Sequence, residues 1–235
     1  GPMGQGYGFH AGKWGFLQPV ADGLHLFFKE DIIPSTADKP LFILAPFLIF
    51  IGMFVGIIAI PFGEAIIITD MNIGIFYILG IGSLAVIALI LAGWSSNNKW
   101  ALYGGMRSAA QIISYEIPAG LSLIVVILLA SSLSMQEIIS YQSGGMFNWI
   151  IFDNPFMPIA FIIFFISALA ETNRTPFDLP ESESELVSGF VTEYSGARYA
   201  FFFLSEYVNM FVISSVAATA FLGGWQSPFP NFLYT

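Results

Sequence analysis

The sequence predicts an all-α polytopic membrane protein: a tilted bundle of about five transmembrane helices, preceded by one helix lying in the membrane interface. Three observations carry this expectation. First, 56% of the residues are hydrophobic and only 10% are charged, against about 25% charged in a soluble domain, and the mean hydropathy is +0.77. Second, the apolar residues gather into stretches near the ~20 residues that a helix needs to cross a ~30 Å hydrocarbon core. Third, every Lys and Arg falls on one side of those stretches.

The spans are expected at 40–62, 73–94, 111–133, 155–170 and 199–223. Helices are the default because uncovered strands leave backbone polar groups unpaired in lipid. The fourth span is short. Lys13, Lys29 and Lys39 precede the first span, Lys99 and Arg107 lie between the second and third, and Arg174 and Arg198 lie between the fourth and fifth. With five alternating spans all seven share one face, which the positive-inside rule makes cytoplasmic. The whole chain, 1–235, reads as a single membrane domain. Residues 1–39 form a cytoplasmic loop and the interfacial helix, and 171–198 form an acidic cytoplasmic loop.

Residues 17–28 differ from the spans. Leu17, Val20, Leu24, Phe27 and Phe28 recur at helical spacing, while Asp22, His25 and Lys29 fill other positions. Such a segment is too polar to span and suits a helix in the interface. The chain begins in a polar loop and ends just after a span, and it is expected to be a piece of a larger bundle.

The formal net charge of −9 argues against a nucleic-acid partner, which needs a basic patch. The absence of Cys removes thiolate ligands for iron–sulfur clusters or zinc, so electrons must travel through partners or a diffusible carrier. No metal site is expected. Glu181, Glu183 and Glu185 at spacing two do not share a helical face, and His10 and His25 are isolated. Asn173-Arg174-Thr175 matches a glycosylation sequon, but Pro176 follows on the cytoplasmic side. Gly52 and Gly56 read as close helix packing.

Ionisable groups inside a span are costly unless paired or hydrated, and by default they mark a pathway. Glu116 lies within the third span beside Pro118, where a bend is expected. Glu206 lies about two turns into the fifth, with Asn209 on a similar face. The plainer reading makes both glutamates structural hydrogen-bond partners; the sharper one puts them on a hydrated proton path. The loop AETNRTPFDLPESESELVSGFVTEY holds Glu171, Asp178, Glu181, Glu183, Glu185 and Glu193 against Arg174 alone. Solvated loops also carry acidic runs, so on composition alone this one reads as a solvated face.

Four blocks of sequence, in this order, resemble one family. They are FLQPVADGLHLFFKED, AGWSSNNKWALYGGMRSAAQIISYEIP, AETNRTPFDLPESESELVSGFVTEYSG and FFLSEYVNMF. The resemblance is to the H-type membrane subunit of respiratory complex I, the NADH-quinone oxidoreductase, known in mitochondria as NADH dehydrogenase subunit 1. It runs from about Trp14 to Trp225, and this chain would hold the second to sixth helices of that protein. The glycine-rich start departs from the family wording.

The resemblance implies a membrane-arm subunit of a proton-translocating oxidoreductase, without a complete active site in this chain alone. It would anchor the peripheral arm, form the access channel for a quinone substrate and begin the proton path. By motif match that path comprises Glu116, Glu171, Asp178, Glu181, Glu183, Glu185, Glu193 and Glu206. The quinone channel would draw on Trp14, Phe16, Leu17, Gln18, Ala21, Asp22, Leu24, Phe28, Arg174, Phe177 and Phe190. Arg174 would keep neighbouring carboxylates ionised. NADH, FMN and iron–sulfur clusters are expected in partner subunits. The partners are peripheral-arm and small membrane-arm subunits, quinone and lipid. The membrane is the bacterial inner membrane or the mitochondrial inner membrane. Three other readings are the membrane subunit of an energy-converting hydrogenase, a stand-alone ion transporter and a structural anchor. The hydrogenase protein shares parts of the PFD loop, and no internal repeat marks a transporter.

Overall fold

The computed structural model describes residues 18–178 and 188–229, and among these every regular element is helical. In chain order they are α1 (Gln18–Phe28), α2 (Lys39–Ile57), α3 (Gly74–Ser95), α4 (Lys99–Ala130), α5 (Met135–Tyr141), α6 (Ile150–Asp153), α7 (Met157–Glu171) and α8 (Gly196–Phe221). Short 3-10 turns cover Met146–Asn148 and Gly189–Val191. Four helices, α2, α3, α4 and α8, are long and apolar enough to cross a membrane, and α7 is a shorter apolar helix. The molecule is a helical membrane bundle.

Helix α4 is longer than the expected third span. It begins at Lys99 because Asn98 caps it, its side chain accepting from Trp100 N at 2.9 Å, which satisfies one of the orphan donors of a helix start. Only residues 96–98 connect α3 to α4, and Arg107 lies inside the helix rather than in a connector. At 1.5 Å per residue, its 32 residues extend about 48 Å, well beyond the hydrocarbon core. It continues through Pro118, and Ser122 Oγ donates to the Pro118 carbonyl at 2.8 Å. Helix α7 has 15 residues, about 22 Å, and is shorter than the core is thick. The single turn of α6 packs against it.

Helices α2, α3 and α4 pack in sequence, α7 lies on α4, and α8 closes the bundle against α2. Without a hydrophobic force between helices in lipid, such contacts depend on close van der Waals fit. Gly52 sits against Leu84 of α3 and Gly56 against Val212 of α8, so the pair does bring helices together. A Cβ at Gly104 would lie 2.6 Å from the Gly189 Cα. That crossing admits only glycine on α4, and it seats the Gly189–Val191 turn directly on the helix.

The end of the bundle that carries the Lys and Arg residues is tied by polar contacts. Asp38 N donates to the Ser95 carbonyl at 3.0 Å, Arg198 pairs with Asp31 at 2.9 Å, and Ile32 N donates to Ser195 Oγ at 3.0 Å. Tyr194 stacks on Phe42 and donates to its carbonyl at 3.2 Å. Burial pushes the Tyr194 phenol up to about 12, so it stays neutral and keeps that bond through the physiological range. At the other end, the buried side chain of Gln142 donates to Ile138 O and Thr219 O and accepts from Ile150 N and Gly223 N. All four of its hydrogen-bonding positions are filled.

Helix α1 realises the amphipathic segment. Phe27 meets Phe201 of α8 edge-on at 6.4 Å, while Leu24, Phe27 and Phe28 stay 53%, 56% and 86% exposed.

Candidate functional site

The polar interior begins where α7 ends. Gln111, twelve residues along α4, donates through Nε2 to Ala170 O at 2.8 Å, Asn173 Oδ1 at 3.0 Å and Phe177 O at 2.8 Å. One turn on, Tyr115 meets the Phe177 ring edge-on at 5.2 Å. These contacts hold residues 170–177 against the side of α4. Arg174 is thereby aimed at α8. Its Nη2 lies 3.3 Å from Glu206 Oε1, its Nε donates to Met210 Sδ at 3.0 Å, and its guanidinium lies 5.2 Å from the Tyr207 ring centre. Glu206 and Met210 share a helix face at spacing four.

A cavity of about 270 Å³ surrounds this pair. Glu171, Asn173, Arg174, Glu206 and Asn209 give it a polar wall, and Phe190, Phe202, Tyr199 and Tyr207 an aromatic one. Beyond Glu171 and Asn209 lies a second cavity of about 40 Å³ between α2, α3, α4, α7 and α8. It is lined mostly by Gly52, Gly56, Gly82, Ala119 and aliphatic side chains, with Glu171 and Asn209 shared between the two spaces. Its size suits about one water molecule.

Glu171 is the last residue of α7, and its carboxylate is near enough to Glu116 of α4 for the two charges to interact. Both reach α3 at adjacent residues. A Cβ at Gly82 would lie 3.8 Å from Glu171 Oε1, and Ser83 Oγ donates to Glu116 Oε1 at 2.9 Å. The structure therefore brings Glu171, Arg174 and Glu206 together around the larger cavity and sets Glu116 near Glu171 beside α3.

Other expected site residues are placed differently. Arg174 pairs with Glu206 of α8, and no loop carboxylate among the described residues forms an ion pair with it. Glu193 accepts from Asn98 Nδ2 at 2.6 Å and lines a separate open groove with Lys99 and Trp100. Asp178 is exposed, with Thr175 Oγ1 3.5 Å from its carboxylate. Phe190 lines the larger cavity and Phe177 packs on Tyr115. Ala21, Asp22, Leu24 and Phe28 lie on α1, of which Gln18 is the first residue. Trp14, Phe16, Leu17, Glu181, Glu183 and Glu185 lie outside the described residues. Among the described residues, no group of His, Asp or Glu is placed to hold a metal.

Sequence reasoning missed Ser83, Gln111, Tyr207 and Met210. Each acts across helices, and the helix crossing that aligns them leaves no local spacing signal.

A multi-pass helical bundle with carboxylates around a cavity defines the class: a helical membrane protein with ionisable groups in its interior. The NADH dehydrogenase family model matches residues 1–235, and the chain belongs to that family. It is 53% identical over 233 residues to the H-type subunit of NADH-quinone oxidoreductase from Chlorobaculum tepidum, covering 98% of this chain and 63% of that protein. It is 54% identical over 218 residues to the corresponding protein of Anaeromyxobacter dehalogenans, covering 93% and 53%. It is 50% identical over 248 residues to an H-type subunit of the same enzyme from Geobacter sulfurreducens, covering 97% and 68%. The chain thus spans only part of the length of these relatives.

Proposed function

We propose that this chain is the part of a proton-translocating NADH:quinone oxidoreductase that admits quinone and begins the proton path. The observation that carries the reading is the placement of Glu206 and Glu171 on one cavity, with Glu116 close to Glu171, inside a bundle of membrane-length helices. Ionisable residues at such depth ordinarily serve ion or proton pathways. The names of the relatives favour quinone over the hydrogenase reading.

In this reading the exposed apolar face of α1, with Leu24 and Phe28, lies in the membrane interface beside α8 and frames the quinone entrance. By the family match Trp14, Phe16, Leu17, Gln18, Ala21 and Asp22 are also channel residues, and Phe177 and Phe190 serve the channel's inner wall. Asp178, Glu181, Glu183, Glu185 and Glu193 supply protons toward the cavity from the cytoplasmic side. Quinone reduced nearby gains electrons and takes up protons, and its charge alters proton occupancy at Glu206 and Glu171. NADH, FMN and the iron–sulfur clusters reside in peripheral-arm partners. The membrane is a bacterial inner membrane or its mitochondrial counterpart.

A photoreactive quinone analogue, applied to the assembled complex, tests the entrance. Labelling of α1 and the adjoining face of α8 supports it; labelling confined to other subunits contradicts it. Sidedness is checked by tags. One inserted after Asn97 should face the cytoplasm and one after Gly144 the opposite compartment, and a shared side would reject this topology.

A further inference from the structure

We propose that Ser83 of α3 is the positioning residue for Glu116, holding it beside Glu171 through both of its protonation states. This role rests on the proton-path reading of the two glutamates, but it concerns a neutral residue on a third helix.

The geometry is specific. Ser83 Oγ is 2.9 Å from Glu116 Oε1 and 3.4 Å from the Leu79 carbonyl, one turn back on its own helix. A hydroxyl carries one hydrogen and two lone pairs. When Glu116 is a carboxylate, Ser83 donates to it. When Glu116 is the acid, its O–H donates to Ser83 Oγ, and the serine hydrogen turns to Leu79 O. The same oxygen therefore keeps Glu116 in place in both states. An amide nitrogen or an ammonium in its place is a donor only and would favour the carboxylate alone. The neighbouring residue completes the arrangement: Gly82 leaves the Glu171 carboxylate free to lie against α3.

The charged surroundings are limited. Glu171 faces Glu116 from α7, and the Arg174–Glu206 pair lies across the larger cavity. Helix α3 contributes no acid or base other than the Tyr77 phenol, which is directed to Val55 O. The step that Ser83 serves is a single proton exchange. An O–H bond breaks at Glu171 and forms at Glu116, and the negative charge passes the opposite way.

The test uses membranes carrying the assembled complex. Infrared difference spectra taken during turnover identify the acid C=O band of Glu116 by its loss in Glu116→Gln. Ser83→Ala should move that band to higher frequency, because the acid loses its hydrogen-bond acceptor. It should slow quinone-linked proton pumping about tenfold, the scale of one hydrogen bond to a charged group. Donor oxidation with an artificial acceptor should be unchanged. Ser83→Thr should restore both band and rate. Ser83→Cys, which keeps the volume with a weak donor, should behave like the alanine variant and serves if that one fails to assemble. An unshifted band and wild-type pumping in Ser83→Ala or Ser83→Cys, with Glu116→Gln inactive, overturns the role of Ser83 and leaves the proton path standing. Absence of any Glu116-dependent band also overturns it. Wild-type pumping in Glu116→Gln overturns the proton-path reading itself.

Discussion

Glu206 and Glu116 both lie well inside long helices, yet they are stabilised in opposite ways. Glu206 has a cation 3.3 Å away, with Met210 and Tyr207 holding that cation's other faces. Glu116 has a hydroxyl at 2.9 Å and another carboxylate nearby. A guanidinium cannot give up its proton at any relevant pH, so Arg174 fixes one charge permanently beside Glu206. A serine fixes none. On the proposed proton path the difference separates two roles: the Arg174 end anchors the cavity, and the Ser83 end can change its charge state.

The largest expected effect follows from breaking the anchored site. Arg174→Met leaves Glu206 facing the cavity without a countercharge. A fully buried pair broken in this way costs about 3–5 kcal/mol, and an exposed one about 1 kcal/mol or less. The side chains of Arg174 and Glu206 are 37% and 24% exposed, so a loss between those limits is expected, read as a lower unfolding temperature of the complex. Arg174→Lys should recover part of it, because it restores charge without the planar contacts to Tyr207 and Met210. Equal stability of Arg174→Met and the wild type would erase the distinction between the two sites.

Next in size is Gln111→Leu. It removes the donor that three acceptors share and frees residues 170–177 from α4. About 1–3 kcal/mol of local stability should go with it, seen as faster hydrogen exchange at Asn173, Arg174 and Phe177 and unchanged exchange in α2. Uniformly faster exchange across the bundle would mean that Gln111 acts on global packing instead.

How much of this the sequence discloses depends on what each residue announces locally. Glu116 and Glu206 are legible because an ionisable residue in an apolar run stands out from its own neighbours. The amphipathic α1 is legible from its spacing. Hydropathy starts the third span at 111, twelve residues after α4 begins, because Lys99, Trp100 and Arg107 suggest a connector, although Asn98 carries an ordinary capping signal. The docking of residues 170–177 against α4 has no such mark. It depends on Gln111, a residue 59 positions from the first carbonyl it holds. Ser83 looks like one more small residue in an apolar helix, and only the crossing of α3 and α4 gives it a partner. Glu193 matches the family pattern in sequence, but Asn98 draws its carboxylate to the outer groove.

The smallest expected effect sharpens the Glu116 side of the comparison. Gly82→Ala places a methyl 3.8 Å from Glu171 Oε1 and near no other atom. The helix should gain up to about 1 kcal/mol from the better helix former, and pumping should fall only slightly, since no hydrogen bond is lost. A severe fall would show that the space at Gly82, rather than the hydroxyl of Ser83, governs the pair.

The most direct measurement is quinone-linked proton pumping by assembled complexes carrying Glu116→Gln or Glu206→Gln. Glutamine keeps the size and hydrogen-bonding capacity of glutamate and removes its titration. Both substitutions should leave assembly and donor oxidation with artificial acceptors intact, while quinone reduction and pumping fall together. Wild-type pumping in both variants would contradict the account and reduce these glutamates to hydrogen-bond partners between helices.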